Sequence, residues 1–186
     1  FAIKANPNAE ILRAVHAAGL SFECVSIGEV GRVLSILPNL APERILFTPN
    51  FAPRTEYEQA LQLGVHVTLD NRYPLDAWPE LFQGRAVLLR IDTGIGRGHH
   101  QHVRTAGVDA KFGIPLEHLD DVVRLVESSG THVIGLHAHA GSGVFDVGNW
   151  REIGELLAQI AARFPDVRIV DVGGGLGVPD RHGVPQ

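Results

Sequence analysis

Phe22-Glu23-Cys24-Val25-Ser26-Ile27-Gly28-Glu29-Val30-Gly31-Arg32-Val33-Leu34-Ser35-Ile36-Leu37-Pro38 holds the organisation of the chain in one unit. The short apolar run 22–25 leads into a stretch whose residues Val30, Val33, Leu34 and Leu37 recur at helical spacing and stop at Pro38. The pair reads as a strand followed by a helix. Working outward, similar runs at 1–4, 44–48, 66–70 and 86–92 begin about 21 or 22 residues apart, and Ile11, Leu12, Val15 and Ala18 repeat the helical spacing between the first two. Beyond a glycine- and histidine-rich segment, 93–110, the alternation resumes: a helix opened by Pro115, a strand over 133–137, a helix over 149–163 and a strand over 167–172.

Seven near-continuous apolar strands alternating with helices predict a parallel sheet covered by helices, in the α/β class. Their even spacing favours closure into a (β/α)8 TIM barrel over an open doubly wound sheet. The barrel is expected to be incomplete, with its eighth unit beyond Gln186 and with exposed edge groups on strands one and seven that lower solubility. The chain has no methionine and opens on Phe1, so residues 1–186 are expected to form a single barrel domain belonging to a longer chain.

Composition narrows the partners. With 45% apolar and 20% charged residues and a mean hydropathy of +0.07, the chain has an ordinary core-forming balance. Its 16 Lys+Arg against 21 Asp+Glu give a net charge of -5 without charged blocks, so neither nucleic acid nor a membrane is an expected partner. A small molecule is. One cysteine, Cys24, and no apolar run approaching a membrane span fit a reducing, cytoplasmic setting. Glycine is 21 of 186, above the usual share of about 7%, and it gathers at 94–98, 141–143 and 173–177, where loops hug a ligand.

In a barrel, ligand groups sit at the carboxyl ends of the strands. Lys4 ends the first. In a partly dry barrel mouth its ammonium form is disfavoured and the amine becomes available for a Schiff base; the competing reading is a lysine that snorkels to the surface. Gly173-Gly174-Gly175-Leu176-Gly177 follows the last strand, where bare backbone turns N–H groups toward a phosphate or simply makes a tight turn. It matches neither the dinucleotide fingerprint nor a Walker A loop. His137-Ala138-His139-Ala140-Gly141-Ser142-Gly143 ends the sixth strand; His139, next to the Gly-Ser-Gly turn, is the better candidate for stacking on a planar ring, and His137 for a structural role. Ser142 is a phosphate donor. The run Gly96-Arg97-Gly98-His99-His100-Gln101-His102 has no paired acid or cysteine at a metal-site spacing and reads as a lid rather than a metal centre. Glu23, Glu29, Arg90 and Asp92 are the remaining rim charges, each a structural ion pair or a group that tunes the lysine or a cofactor oxygen.

Together these residues resemble the fold-type III pyridoxal-phosphate-dependent decarboxylases, the alanine racemase-like barrel group that includes the diaminopimelate, ornithine and arginine decarboxylases. The likeness lies in Phe1-Ala2-Ile3-Lys4-Ala5-Asn6, Phe22-Glu23-Cys24-Val25-Ser26 with Gly28-Glu29, Lys111-Phe112-Gly113, His139-Ala140-Gly141-Ser142-Gly143 and Asp171-Val172-Gly173-Gly174-Gly175. It implies pyridoxal 5'-phosphate as cofactor, Schiff-base formation by Lys4, stacking by His139, a phosphate held by Ser142 with Gly173, Gly174 and Gly175, and Arg90 near the ring. It further implies an amino-acid substrate, with meso-diaminopimelate favoured and ornithine, arginine or carboxynorspermidine-type substrates open, and a homodimer with shared active sites. Glu23 stands where many members have Asp. Cys24 does not correspond to the family's catalytic cysteine, which lies in a later β domain; that cysteine, the acid facing the pyridine nitrogen and a Glu-Pro-Gly-Arg type loop are absent here, so the fragment alone is expected to be inactive. An amino-acid racemase has Ala-Tyr-Gly-His where Pro7 and Asn8 occupy the stretch here. A non-catalytic cofactor carrier would lack a downstream β domain, and a Schiff-base aldolase that works without cofactor would show no cofactor-dependent colour.

Overall fold

The computed structural model describes residues 1–94 and 112–178, arranged in two compact units, Phe1–Asp70 and Asn71–Gln186. The strands of each unit pair in parallel with helices between them, as the sequence predicts.

In the first unit β1 (Phe22–Cys24), β2 (Ile45–Phe47) and β3 (His66–Leu69) form the sheet, with Phe22 opposite Ile45 and Leu46 opposite His66. Helix α1 (Ala9–Ala17) precedes β1, and α2 (Ile27–Ile36) and α3 (Arg54–Leu63) connect the strands. Phe22, Cys24, Phe47, Val67 and Leu69 are buried to within 1% exposure, a core in which each large side chain contributes about 1.5–3 kcal/mol. The Phe47 and Tyr57 rings meet edge to face, centroids 6.2 Å apart. Helix starts follow local chemistry: Asn8 accepts from the Glu10 N–H, and Ser26 from that of Glu29. Glu29 in turn accepts from the N–H of Val25, the residue before the cap, at 2.7 Å. Its rim charge is therefore committed to the start of α2.

The first predicted strand is not one. Only Ala2 bridges Glu23, after which Ile3–Ala5 form a 3-10 turn. Ile3 is fully buried, so the apolar signal was real, and the chain turns at Ile3–Ala5 just ahead of Pro7.

In the second unit β4 (Ala86–Asp92), β6 (His132–His137) and β7 (Ile169–Asp171) lie side by side, and a two-residue strand that the sequence reading missed, β5 (Ile114–Pro115), pairs with β4. Helices α4 (Tyr73–Ala77), α5 (Pro79–Phe82), α6 (Leu119–Ser129) and α7 (Gly148–Ala161) complete it. Pro115 opens a 3-10 turn at Leu116–His118 rather than α6 itself. Register partners share a face of a parallel sheet, so Leu88, Gly135 and Ile169 make one row and Arg90, His137 and Asp171 the next on the same side. Gly154 of α7 faces Val172, whose alternation belongs with Val170; the row of Arg90, His137 and Asp171 thus lies on the face turned away from α7. Gly135 lets the row of Leu88 and Ile169 close up, because a Cβ there would lie 2.9 Å from Leu88 and 3.0 Å from Ile169.

Candidate functional site

Lys4 belongs to the first unit, on the 3-10 turn Ile3–Ala5, in surroundings more open than a dry mouth. The Lys4 side chain is 51% exposed, and its Nζ lies 3.7 Å from Glu23 Oε1. The same oxygen accepts a hydrogen bond of 2.6 Å from Thr48 Oγ1, a residue only 2% exposed at the end of β2. Glu23 is held by main chain as well, its N–H donating to the Phe1 carbonyl at 2.9 Å. Sequence reasoning named Lys4 and Glu23 and missed Thr48, which lies 25 residues from Glu23 and meets it only once β1 and β2 are paired. Cys24, beside Glu23, is fully buried; desolvation first, then Glu29 and Glu23, push its thiol up to about 12, so it is an inert core residue rather than a nucleophile.

In the second unit the structure brings His139, Ser142 and the glycine run together. The β6 and β7 loops are stitched by Ala138 N–H to Asp171 O at 2.9 Å, Val144 N–H to Gly175 O at 2.9 Å and Gly177 N–H to Val144 O at 2.8 Å. Each glycine answers a different demand. Gly173 has φ +71, and a Cβ there would lie 2.5 Å from the Ala138 carbonyl and 2.9 Å from His139 Nδ1. Gly175 has φ +92, and a Cβ would come within 1.9 Å of the Gly141 carbonyl oxygen. Gly174 is exposed, and a Cβ there would have nothing within 4 Å. The Gly173 N–H is taken by Asp171 Oδ1 at 2.8 Å, in an Asx turn repeated at the end of β4, where Gly94 N–H donates to Asp92 Oδ1 at 3.0 Å. Neither the Gly174 nor the Gly175 N–H is taken by a hydrogen bond among the described residues.

Arg90 is buried to 7% exposure in register with His137, and its guanidinium stacks over the Phe112 ring at 5.3 Å. His137 is 5% exposed, whereas His139 is partly open and Ser142 exposed. Residues 95–111, which carry most of the expected lid, its histidines and Lys111, lie outside the described residues.

Comparison with known proteins places this arrangement. The family described as pyridoxal-dependent decarboxylase, pyridoxal binding domain, matches residues 1–186. The chain belongs to that family. Curated members similar to this pyridoxal-dependent decarboxylase chain include the diaminopimelate decarboxylases of Methanothermobacter thermautotrophicus, 33% identical over 96% of the chain, and Streptomyces coelicolor, 34% identical over 100%. The chain spans 43% of the length of each. Among solved structures, a diaminopimelate decarboxylase crystal structure is 31% identical with a TM-score of 0.86, covering 99% of this chain and 44% of that one. The Helicobacter pylori diaminopimelate decarboxylase complexed with L-lysine is 29% identical, also at 0.86, covering 96% and 47%. The fold class is α/β, an incomplete TIM barrel, as expected.

The family's cofactor is pyridoxal phosphate. The glycine run of this chain fits its phosphate end: two backbone N–H groups without a hydrogen bond among the described residues, a neighbouring serine hydroxyl, and an exposed, bare backbone at Gly174.

Proposed function

We propose that residues 1–186 form one pyridoxal-phosphate-binding domain of a decarboxylase that converts meso-diaminopimelate to L-lysine. The observation that carries the reading is the joined pair of loops, His139 to Ser142 against Gly173 to Gly175, in a chain about one-third identical to diaminopimelate decarboxylases along nearly its whole length. In this reading Lys4 is the amine that holds the cofactor, and Glu23 keeps that amine in place. His139 stacks on the cofactor ring. Ser142 and the N–H groups of Gly174 and Gly175 hold the phosphate, while Gly173 serves as the hinge that Asp171 fixes, its own N–H being spent. Arg90, buried and stacked over Phe112, lies near the cofactor ring in this reading. When bound, the cofactor supplies the sink for the electron pair released as the substrate carboxylate leaves as CO2. A homodimer with shared sites and a cytoplasmic setting belong to the same proposal; no helix among the described residues is long and apolar enough to cross a membrane.

Replacing Lys4 with Ala in the whole protein tests the assignment. The visible absorption of the bound cofactor is expected to vanish, together with L-lysine formation from meso-diaminopimelate. Retention of both in K4A overturns the role of Lys4; wild-type protein that releases CO2 from ornithine or arginine but not from diaminopimelate overturns the substrate.

A further inference from the structure

Two groups converge on a single oxygen in the first unit, and they do so unequally. Thr48 Oγ1 is 2.6 Å from Glu23 Oε1, the length of a strong O–H to carboxylate bond, whereas Lys4 Nζ is 3.7 Å away, well beyond the roughly 2.7–2.9 Å of a close ammonium–carboxylate bond. Among the described residues, the one further acceptor within reach of the Thr48 hydroxyl is the Cys24 carbonyl at 3.5 Å, and a hydroxyl has one proton to donate. Thr48 is itself fixed: it is 2% exposed, and its N–H donates to the Cys24 carbonyl at 2.8 Å. Glu23 is therefore anchored on a buried hydroxyl and faces the lysine at a distance.

We propose that Thr48 is a positioning residue for Lys4, acting through Glu23: its hydroxyl holds the carboxylate back and takes up part of its charge, so that the lysine amine is oriented but readily released for attack on a carbonyl. The proposal rests on the reading of Lys4 as the cofactor lysine. It also gives the longer acid at position 23 a purpose, since the carboxylate oxygen must reach Lys4 and the β2 hydroxyl at once. Without the hydroxyl, the carboxylate is free to close on Lys4 and tie its nitrogen into a direct ion pair, which hinders its approach to a carbonyl.

The test follows the amine directly, in the whole protein freed of cofactor, by the rate at which trinitrobenzenesulfonate labels Lys4 at fixed pH, with the labelled peptide identified by mass. Within residues 1–186 the lysines are Lys4 and Lys111, and the mass of the labelled peptide separates Lys4 from every other amine of the whole protein. T48V is expected to slow labelling of Lys4 about threefold, T48S to restore the wild-type rate, and T48V added to E23Q to change nothing further, because the hydroxyl then has no carboxylate to restrain. T48A replaces T48V should the latter fail to fold. Wild-type labelling in both T48V and T48A, equal slowing in T48S, or slowing that persists in the E23Q background overturns the proposal. Because no cofactor is present, these outcomes are independent of whether K4A loses the cofactor absorption, so failure of this inference and failure of the proposed function are distinguishable.

Discussion

Gly173, Gly174 and Gly175 stand side by side for different reasons, and substitutions separate them. At Gly175 a methyl group meets the Gly141 carbonyl at 1.9 Å on a backbone with φ +92, so Gly175→Ala forces the two loops apart. We expect it to cost at least about 1–3 kcal/mol, the usual range for overpacking, and to abolish cofactor retention. Gly174→Ala introduces a methyl into open space at ordinary φ and should stay within about 0.5 kcal/mol of wild type while weakening cofactor binding. Urea midpoints together with cofactor retained after dialysis check the pair. The sequence showed a run of glycines but not this division, because the partners of Gly173 and Gly175 lie in the distant loop after β6 and become visible only once β6 and β7 are paired. The Asx turn at Asp171 was legible in principle: Asp92-Thr93-Gly94 and Asp171-Val172-Gly173 share the same spacing, and both close a strand.

At the scale of elements, what could be read locally was read correctly. The βα unit at 22–38 became β1 and α2, with Ser26 capping the helix and Glu29 holding the Val25 N–H ahead of it. Ser26→Ala should lower stability by about 1 kcal/mol, the usual cost of a lost N-cap, seen as a lower urea midpoint with an unchanged slope. Misreadings arose where a local pattern was overruled. Residues 1–4 are apolar enough for a strand, yet a single bridge is followed by a 3-10 turn. Ile114–Pro115 is too short to carry any periodicity, and only its pairing with the long strand β4 defines it. Thr48 escaped notice for a related reason: as a residue it is an unremarkable strand end, and its meaning comes from Glu23 on the neighbouring strand.

For the whole molecule, the rhythm of apolar runs was enough for the fold class, whereas the meeting of side chains from distant segments was not. One global property follows from burial. The Cys24 thiol is raised from its ordinary value near 9 to about 12, mainly by desolvation, and the Tyr57 phenol is pushed upward by burial and then by Asp70 and Glu56. Both groups stay neutral in the folded protein over a range where the unfolded chain ionises. Their contribution is therefore complete below the unfolded value and is lost as pH climbs through the window from about 9 to 12 for Cys24. Urea midpoints should fall through that window, and the fall should be shallower in Cys24→Ala, even though that variant starts lower for the cavity it opens.

The grip of Asp171 on the Gly173 amide has one more consequence. A receptacle whose bend is fastened by its own chain is moulded before any guest arrives, so little ordering entropy is surrendered on capture. Stripped protein should accordingly reload quickly and with a small entropic penalty in calorimetry, and Asp171→Ala should make uptake slower and its entropy more adverse.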